Sequence, residues 1–277
     1  MAWAERSEVK PLHIVVCGGV VPDPLQTLEP VMGPAGPSLK NEMLLPAVFD
    51  PWAAHALYEA AHLARQCEGS RVWLVSLGPK AKLQQVMMSL AQKAAFEPVF
   101  LDAPAHGFTD SHRTAAVLAE AVAAIPELDR SRLLLFGGCE SASRGQGVTL
   151  QMVGERLGIG DQFQSVDRIV LAEDGSFEVM ERVEGGRYLV SSCAGPPALL
   201  GWATGERGEP RNDPQLGMRN MRAVMPALQK ATPAQIAAGG LSYDGVRLPS
   251  QQRQTRIVKD MSAAEIAREI FEWMRTD

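Results

Sequence analysis

From His13 onward, short apolar runs take turns with longer stretches of helical period. That alternation is the pattern of βαβ units laid on a parallel sheet, and it leaves few other folds open. "HIVVC" (13–17), "RVWLVSL" (71–77), "EPVFL" (97–101) and "RLLLF" (132–136) read as strands. They are apolar throughout rather than at every second residue, as strands covered on both faces are. Asp50 before Pro51 makes an N-cap followed by proline at the first helical position. It opens "PWAAHALYEAAHLARQ", with Leu57, Ala60, Ala61 and Ala64 on one stripe. Further helices are expected over 80–95, from a cap at Asp110 or Ser111 to about Ile125, and over 146–157.

Beyond residue 160 the texture changes. "QSVDRIVLA", "FEVMERVEGGRYLVSS" and "PALLGWA" are three strand-like stretches punctuated by "EDGS", "EGG" and "AGP", which predicts an antiparallel meander extending the sheet. Residues 204–226, "TGERGEPRNDPQLGMRNMRAVMP", read as a long polar loop, and loops of that length are usually functional or disordered. Little apolar sequence follows until "SAAEIAREIFEWMR", an amphipathic helix with Ser262 as N-cap and Glu265 at the capping-box position. The expected organisation is an α/β domain over 1–230 and a C-terminal arm over 231–277.

Composition removes several function classes. The formal charge is −5, and the 27 Lys and Arg are scattered, so no basic footprint for nucleic acid is present. No apolar run approaches the roughly 18 residues of a membrane span. The N-terminal "MAWAERSEVKPLHIVV" lacks the basic start and cleavage site of a secretory signal, which predicts a cytoplasmic protein. Cys17, Cys67, Cys139 and Cys193 are far apart and form no CxxC pair; His13, His55, His62, His106 and His112 are equally isolated. Neither a metal site nor a disulfide framework is expected.

One loop stands out. "LLLFGGCESASRGQGVTLQM" (133–152) runs from a strand through glycine and serine into a helix. Such a loop gathers backbone N–H groups and the positive end of a helix dipole in one concavity, which attracts phosphate. Arg144 within it brings a rigid donor fork suited to phosphate oxygens, or else is a solvated loop arginine. No lysine or histidine occurs between Leu133 and Met152, which disfavours adenylyl-transfer chemistry there.

Several ordered stretches resemble the β subunit of electron transfer flavoproteins. "VVCGGVVPD" is similar to the family's first strand and V-x-D loop, "FDPW" (49–52) to its M-N-P-F helix start, and "VSLG" (75–78) to its V-S-x-G. "ERVEGGRYLVSSCAGPPALLGWA" resembles its signature stretch. "EPR" (209–211) is followed by "MRNMRA" where the family has N-I-M-K-A-K, and "PSQQRQTRIVK" resembles P-P-Q-R-T-A-G-V-K-V. The phosphate-side loop departs from the family: its run of aspartates is absent, although Thr149 and Gln151 remain.

The resemblance implies a parallel-core, Rossmann-like sheet of adenine-nucleotide-binding type, with an antiparallel extension and an arm that packs on an α subunit. It implies an electron carrier rather than an enzyme, with no catalytic residues. In the family the heterodimer takes electrons from flavin-dependent dehydrogenases and passes them on, often to a membrane quinone oxidoreductase. FAD is held mainly by the α subunit, and AMP, or a second FAD in electron-bifurcating members, by the β subunit. Carried over to this sequence, the nucleotide positions are Cys17, Asp50, Pro51, Trp52, Ala53, Leu77, Gly138, Ser141, Ser143, Arg144, Gly145, Gly147 and Thr149. Asp50 has the simpler reading of an N-cap and Leu77 that of a core leucine. The partner-recognition loop falls at about 204–222, with Leu216, Met218 and Met221 as apolar anchors. A stand-alone nucleotide-binding stress-type protein is the rival reading, and it lacks the "VEGG" signature, the "EPR" loop and the arm.

Overall fold

The computed structural model describes residues 10–34, 36–103, 108–236, 243–248 and 257–275. The first nine residues, His106 and 249–256 of "PSQQRQTRIVK" lie outside this description. The chain forms two compact units, Met1–Val246 and Arg247–Asp277.

In the first unit β1 (His13–Pro22) runs to a hairpin of β2 (Pro30–Gly33) and β3 (Gly36–Leu39), then β4 (Ala47–Phe49) and α1 (Pro51–Gln66). There follow β5 (Arg71–Gly78), α2 (Lys80–Leu90), β6 (Glu97–Asp102), α3 (Ser111–Ala123), β7 (Leu133–Gly138) and α4 (Thr149–Arg156). The remainder is β8 (Asp161–Leu171), β9 (Phe177–Val183), β10 (Arg187–Cys193), β11 (Ala198–Trp202), α5 (Pro214–Gln229) and β12 (Thr232–Pro233). Among the described residues these make a ten-stranded sheet in the order β10-β9-β8-β11-β7-β1-β5-β6-β12, with β4 paired to the end of β1. Every neighbour from β8 to β12 is parallel; β9 and β10 add antiparallel strands beyond β8.

Alternate residues of the central strands enter opposite cores. Ile14, Val16, Leu74, Leu134, Phe136 and Leu200 meet α1, α2 and α5 on one face. Val15, Cys17, Trp73, Val75, Leu135 and Leu199 meet α3 and α4 on the other. Both faces are thus covered, which accounts for the unbroken apolar runs.

Several expectations are corrected. "PALLGWA" does not join a meander: β11 slots between β7 and β8, parallel to both, while "FEVMERVEGGRYLVSS" is itself the hairpin β9–β10. The helix expected over 80–95 stops at Leu90, and that expected from 146 starts at Thr149, because Gly145 and Gly147 take φ of 62° and 61°. The chief correction concerns 204–226. Only its first part is loop; from Pro214 it is α5, capped by the Asp213 carboxylate on the amides of Gln215 and Leu216. This helix is docked on α2: the Asn220 amide donates to the carbonyls of Ala91 and Ala94, both at 2.7 Å. The β2–β3 hairpin and β4 had no counterpart in the sequence reading.

The loop entering α5 is also held. The buried Glu59 carboxylate accepts the amides of Glu206 (3.2 Å) and Arg207 (3.1 Å) around Gly205, whose φ of 65° suits glycine. A Lys93–Glu209 ion pair fixes the next stretch.

The second unit contains α6 (Ala263–Trp273), which starts with the expected capping box of Ser262 and Glu265. Its described residues include none that is buried, and Ile266, Ile270, Phe271 and Trp273 are exposed.

Candidate functional site

The chain leaves β1 for β5 on one side, continues to β6, and then returns to the other side of β1 as β7. The order therefore reverses beside β1, and a crevice opens past the carboxyl ends of the strands at such a reversal. A cleft is found there, with about 820 Å³ of empty space including its mouth.

The cleft is built from strand ends and helix starts. Cys17 lies on β1 between Val75 and Gly137; it is buried, which pushes its thiol up to about 12. Leu77 closes the β5 side and Gly138 the β7 side. Gly138 has no room for a side chain, since a Cβ there would collide with Trp52 and stand 2.6 Å from the Glu140 carbonyl.

Asp50 does more than cap α1. Its Oδ1 accepts the Trp52 and Ala53 amides at 3.0 and 3.4 Å, and its Oδ2 accepts the Ala142 amide at 2.9 Å. One buried carboxylate thus ties the helix start to the loop after β7. Burial raises its pKa; the three amides and the Arg144 charge oppose the rise.

Arg144 fastens the other side. Its guanidinium donates to the Thr109 carbonyl at 2.6 Å and to the Thr149 hydroxyl at 3.4 Å, so it joins the loop before α3 to the start of α4. Burial lowers its pKa, and the charges of Asp110 and Asp50 work against that. The Ser141 hydroxyl accepts the Arg144 amide at 3.2 Å and lies 3.2 Å from the Ser143 hydroxyl. α4 begins without a side-chain cap, and the first-turn amides of a helix have no partner within it.

Of the residues expected from sequence, Cys17, Asp50, Ala53, Leu77, Gly138, Ser141, Ser143, Arg144 and Thr149 line this cleft. Gly147 lines a smaller recess that continues it beneath the loop. Three do not line it. Pro51 faces a separate groove with His55 and Tyr58, Trp52 backs Gly138, and Gly145, with its left-handed backbone, shapes the loop.

Sequence reasoning missed Gly18 to Pro22, Thr109, Thr114, Leu118, Glu140 and Leu150, all in the wall. The double glycine inside a strand run was a usable signal: a Cβ on Gly18 would collide with the Phe49 ring and stand 2.7 Å from the Ala53 Cβ, so β1 comes close to the α1 start there. Thr114 and Leu118 enter from α3, which no local pattern announces.

The apolar wall of Val20, Val21, Leu118 and Leu150 suits a flat base, while the hydroxyls, Arg144 and the α4 start suit an anion. The residues present therefore fit a nucleotide. Among the described residues no group of three or more His, Cys, Asp or Glu could hold a metal, and no helix is long and apolar enough to cross a membrane.

The model of the electron transfer flavoprotein domain matches residues 42–236. This chain belongs to the electron transfer flavoprotein family. Members of the family are electron carriers rather than enzymes, and they bind flavin. The matched span runs from the turn before β4 past β12 and includes the loop, α4 and α5. A search of curated proteins finds no match.

The partner anchors expected by resemblance fare unequally. Met218 is 67% exposed, and Leu216 beside it is half-buried. Met221 packs against the core on the α1/α2 face, a correction to its reading as an exposed anchor.

Proposed function

We propose that this chain is the β subunit of a heterodimeric electron transfer flavoprotein in the cytoplasm. It would accept electrons from flavin-dependent dehydrogenases and pass them to a quinone oxidoreductase or another acceptor. The main FAD is assigned to the α subunit and an adenine nucleotide, AMP or a second FAD, to the cleft. The observation that carries this reading is the cleft at the strand-order reversal, with Arg144 and the α4 start facing an apolar wall, in a chain of this family.

A bound flavin supplies the redox chemistry. The contribution of this chain is to bind and position. Asp50 holds the α1 start against the 139–148 loop, Arg144 holds that loop against α3 and α4, and the nucleotide is enclosed between them. Glu59 and Asn220 hold the loop and helix proposed to meet the dehydrogenase. The exposed stripe of α6 is the surface proposed for the α subunit.

The test is co-purification with an electron transfer flavoprotein α subunit, followed by denaturation and a count of flavin and AMP per dimer. One flavin with one AMP supports the carrier reading, and two flavins the bifurcating form. Recovery of the chain alone, loaded with adenine nucleotide and indifferent to an α subunit, would favour a stand-alone nucleotide-binding protein.

A further inference from the structure

Arg144 is aimed by a neighbouring piece of backbone as well as by the loop that carries it. Its Nη1 donates to the Thr109 carbonyl at 2.6 Å, and the Thr109 hydroxyl lies 3.4 Å from the same nitrogen. The short stretch before α3 therefore helps to decide where the guanidinium stands. One end of that stretch is fixed by the helix start: the Asp110 carboxylate accepts the His112 amide at 2.8 Å, and the Asp110 carbonyl accepts the Thr114 hydroxyl at 3.0 Å. The other end, Phe108, is met by a residue from far along the chain. The Tyr243 hydroxyl donates to the Phe108 carbonyl at 3.2 Å, and the two rings stand edge to face, with centres 5.9 Å apart and planes at 90°. Tyr243 follows β12 and belongs to the first unit. It is not among the described residues that line the cleft, yet it lies near enough to Arg144 to help keep the guanidinium protonated.

The geometry points to Tyr243 as a positioning residue for the anion end of the cleft: it holds the Phe108 end of the stretch whose Thr109 carbonyl aims Arg144, and so sets how firmly a phosphate-bearing ligand is gripped. This rests on the nucleotide reading given above. An arginine side chain has many rotamers, and a donor fork already fixed in its bound position gives up less freedom when the anion arrives. The Thr109 carbonyl can fix it only if that carbonyl is itself held. Asp110 holds it from one side and Tyr243, through the peptide of Phe108, from the other. Tyr243 has two separate means of doing so, the hydroxyl on the carbonyl and the ring on the ring. Its influence falls on the phosphate alone, because it reaches the ligand through Arg144. The apolar wall of Val20, Val21, Leu118 and Leu150, suited to the base, does not depend on it.

The full-length chain, stripped of nucleotide, would be titrated calorimetrically with AMP and with adenosine, and thermal melts would confirm that each variant is folded. Tyr243→Phe, which keeps the ring and loses the hydroxyl, is expected to weaken AMP binding about threefold, and Tyr243→Ala about tenfold. Adenosine, which brings no phosphate to Arg144, is expected to bind both variants as it binds the parent. In an Arg144→Ala background, Tyr243→Ala is expected to have no further effect on AMP, since two residues that act through one contact are not additive. An AMP affinity that Tyr243→Ala leaves unmoved, an equal loss for adenosine, or losses that add in the double variant would each overturn the positioning role while the nucleotide reading stands. If neither ligand binds the folded parent, the nucleotide reading falls and this inference with it.

Discussion

His13, the first residue of β1, is buried with an edge-on contact to Trp73 at 5.1 Å between ring centres. Its Nδ1 accepts the Asp129 amide at 2.8 Å, and the Arg132 guanidinium sits at Nε2. The folded ring therefore resists a proton: burial lowers its pKa from 6.5, Arg132 adds to the effect, and Asp129 opposes it. Well above pH 6.5 the ring is neutral in both states. As pH falls through 6.5 the unfolded chain takes the proton first, so stability is lost from there down to the folded value. His55 and His62, also lowered by burial, share that slope. Asp50 and Glu59 are raised, so their contributions grow as pH falls and run the other way. Comparison with His13→Asn, which keeps an acceptor for Asp129, separates the histidine from the carboxylates. Urea midpoints at pH 7.5 and 5.5 should drop further in the parent than in the variant; equal drops would show that His13 does not titrate in this range.

α5 illustrates why one element was illegible while others were plain. Its start carries the same Asp-Pro signal as α1, at Asp213 and Pro214. Its buried positions are Gly217, Asn220, Val224 and Leu228, a helical stripe in which two of four members are not apolar. A reading keyed to apolar period cannot find such a stripe, because Gly217 serves close approach to Gln92 and Asn220 serves hydrogen bonds to the turn that follows α2. Strand runs and the Asp50 cap were legible because burial on both faces and local capping write themselves into adjacent residues. The insertion of β11 between β7 and β8 was not, since strand order is a long-range property. The same helix gives a paired prediction. Met221→Ala removes a side chain that packs on the core and should lower stability by about 1–3 kcal/mol, the lower part of the usual core range because the site is only partly buried. Met218→Ser and Leu216→Ala should leave the melting temperature nearly unchanged and slow electron transfer from the dehydrogenase severalfold. If the Met218 variant loses stability and keeps its rate, α5 does not present the docking surface.

At the scale of the molecule, the two compact units set where the chain can be cut. Ending it at Lys230 would remove β12, which pairs with β6, and the Ala234 and Ile236 side chains that pack on a core. Ending it after Val246 removes only the second unit. The shorter chain should keep its melting temperature within a few degrees and lose co-purification with an α subunit; retained co-purification would rule out the arm as the binding element. The ends of the large sheet are unequal in another respect. β12 contributes two residues, one of them a proline with no amide to give, so that edge is blunt. β10 contributes seven, pairs among the described residues only with β9, and exposes Tyr188, Leu189 and Val190. Fibril growth needs two sticky edges per molecule, one to receive and one to offer. Two copies that meet through β10 would close as a pair, because among the described residues the β12 end offers a two-residue strand with a proline and no second long strand like β10.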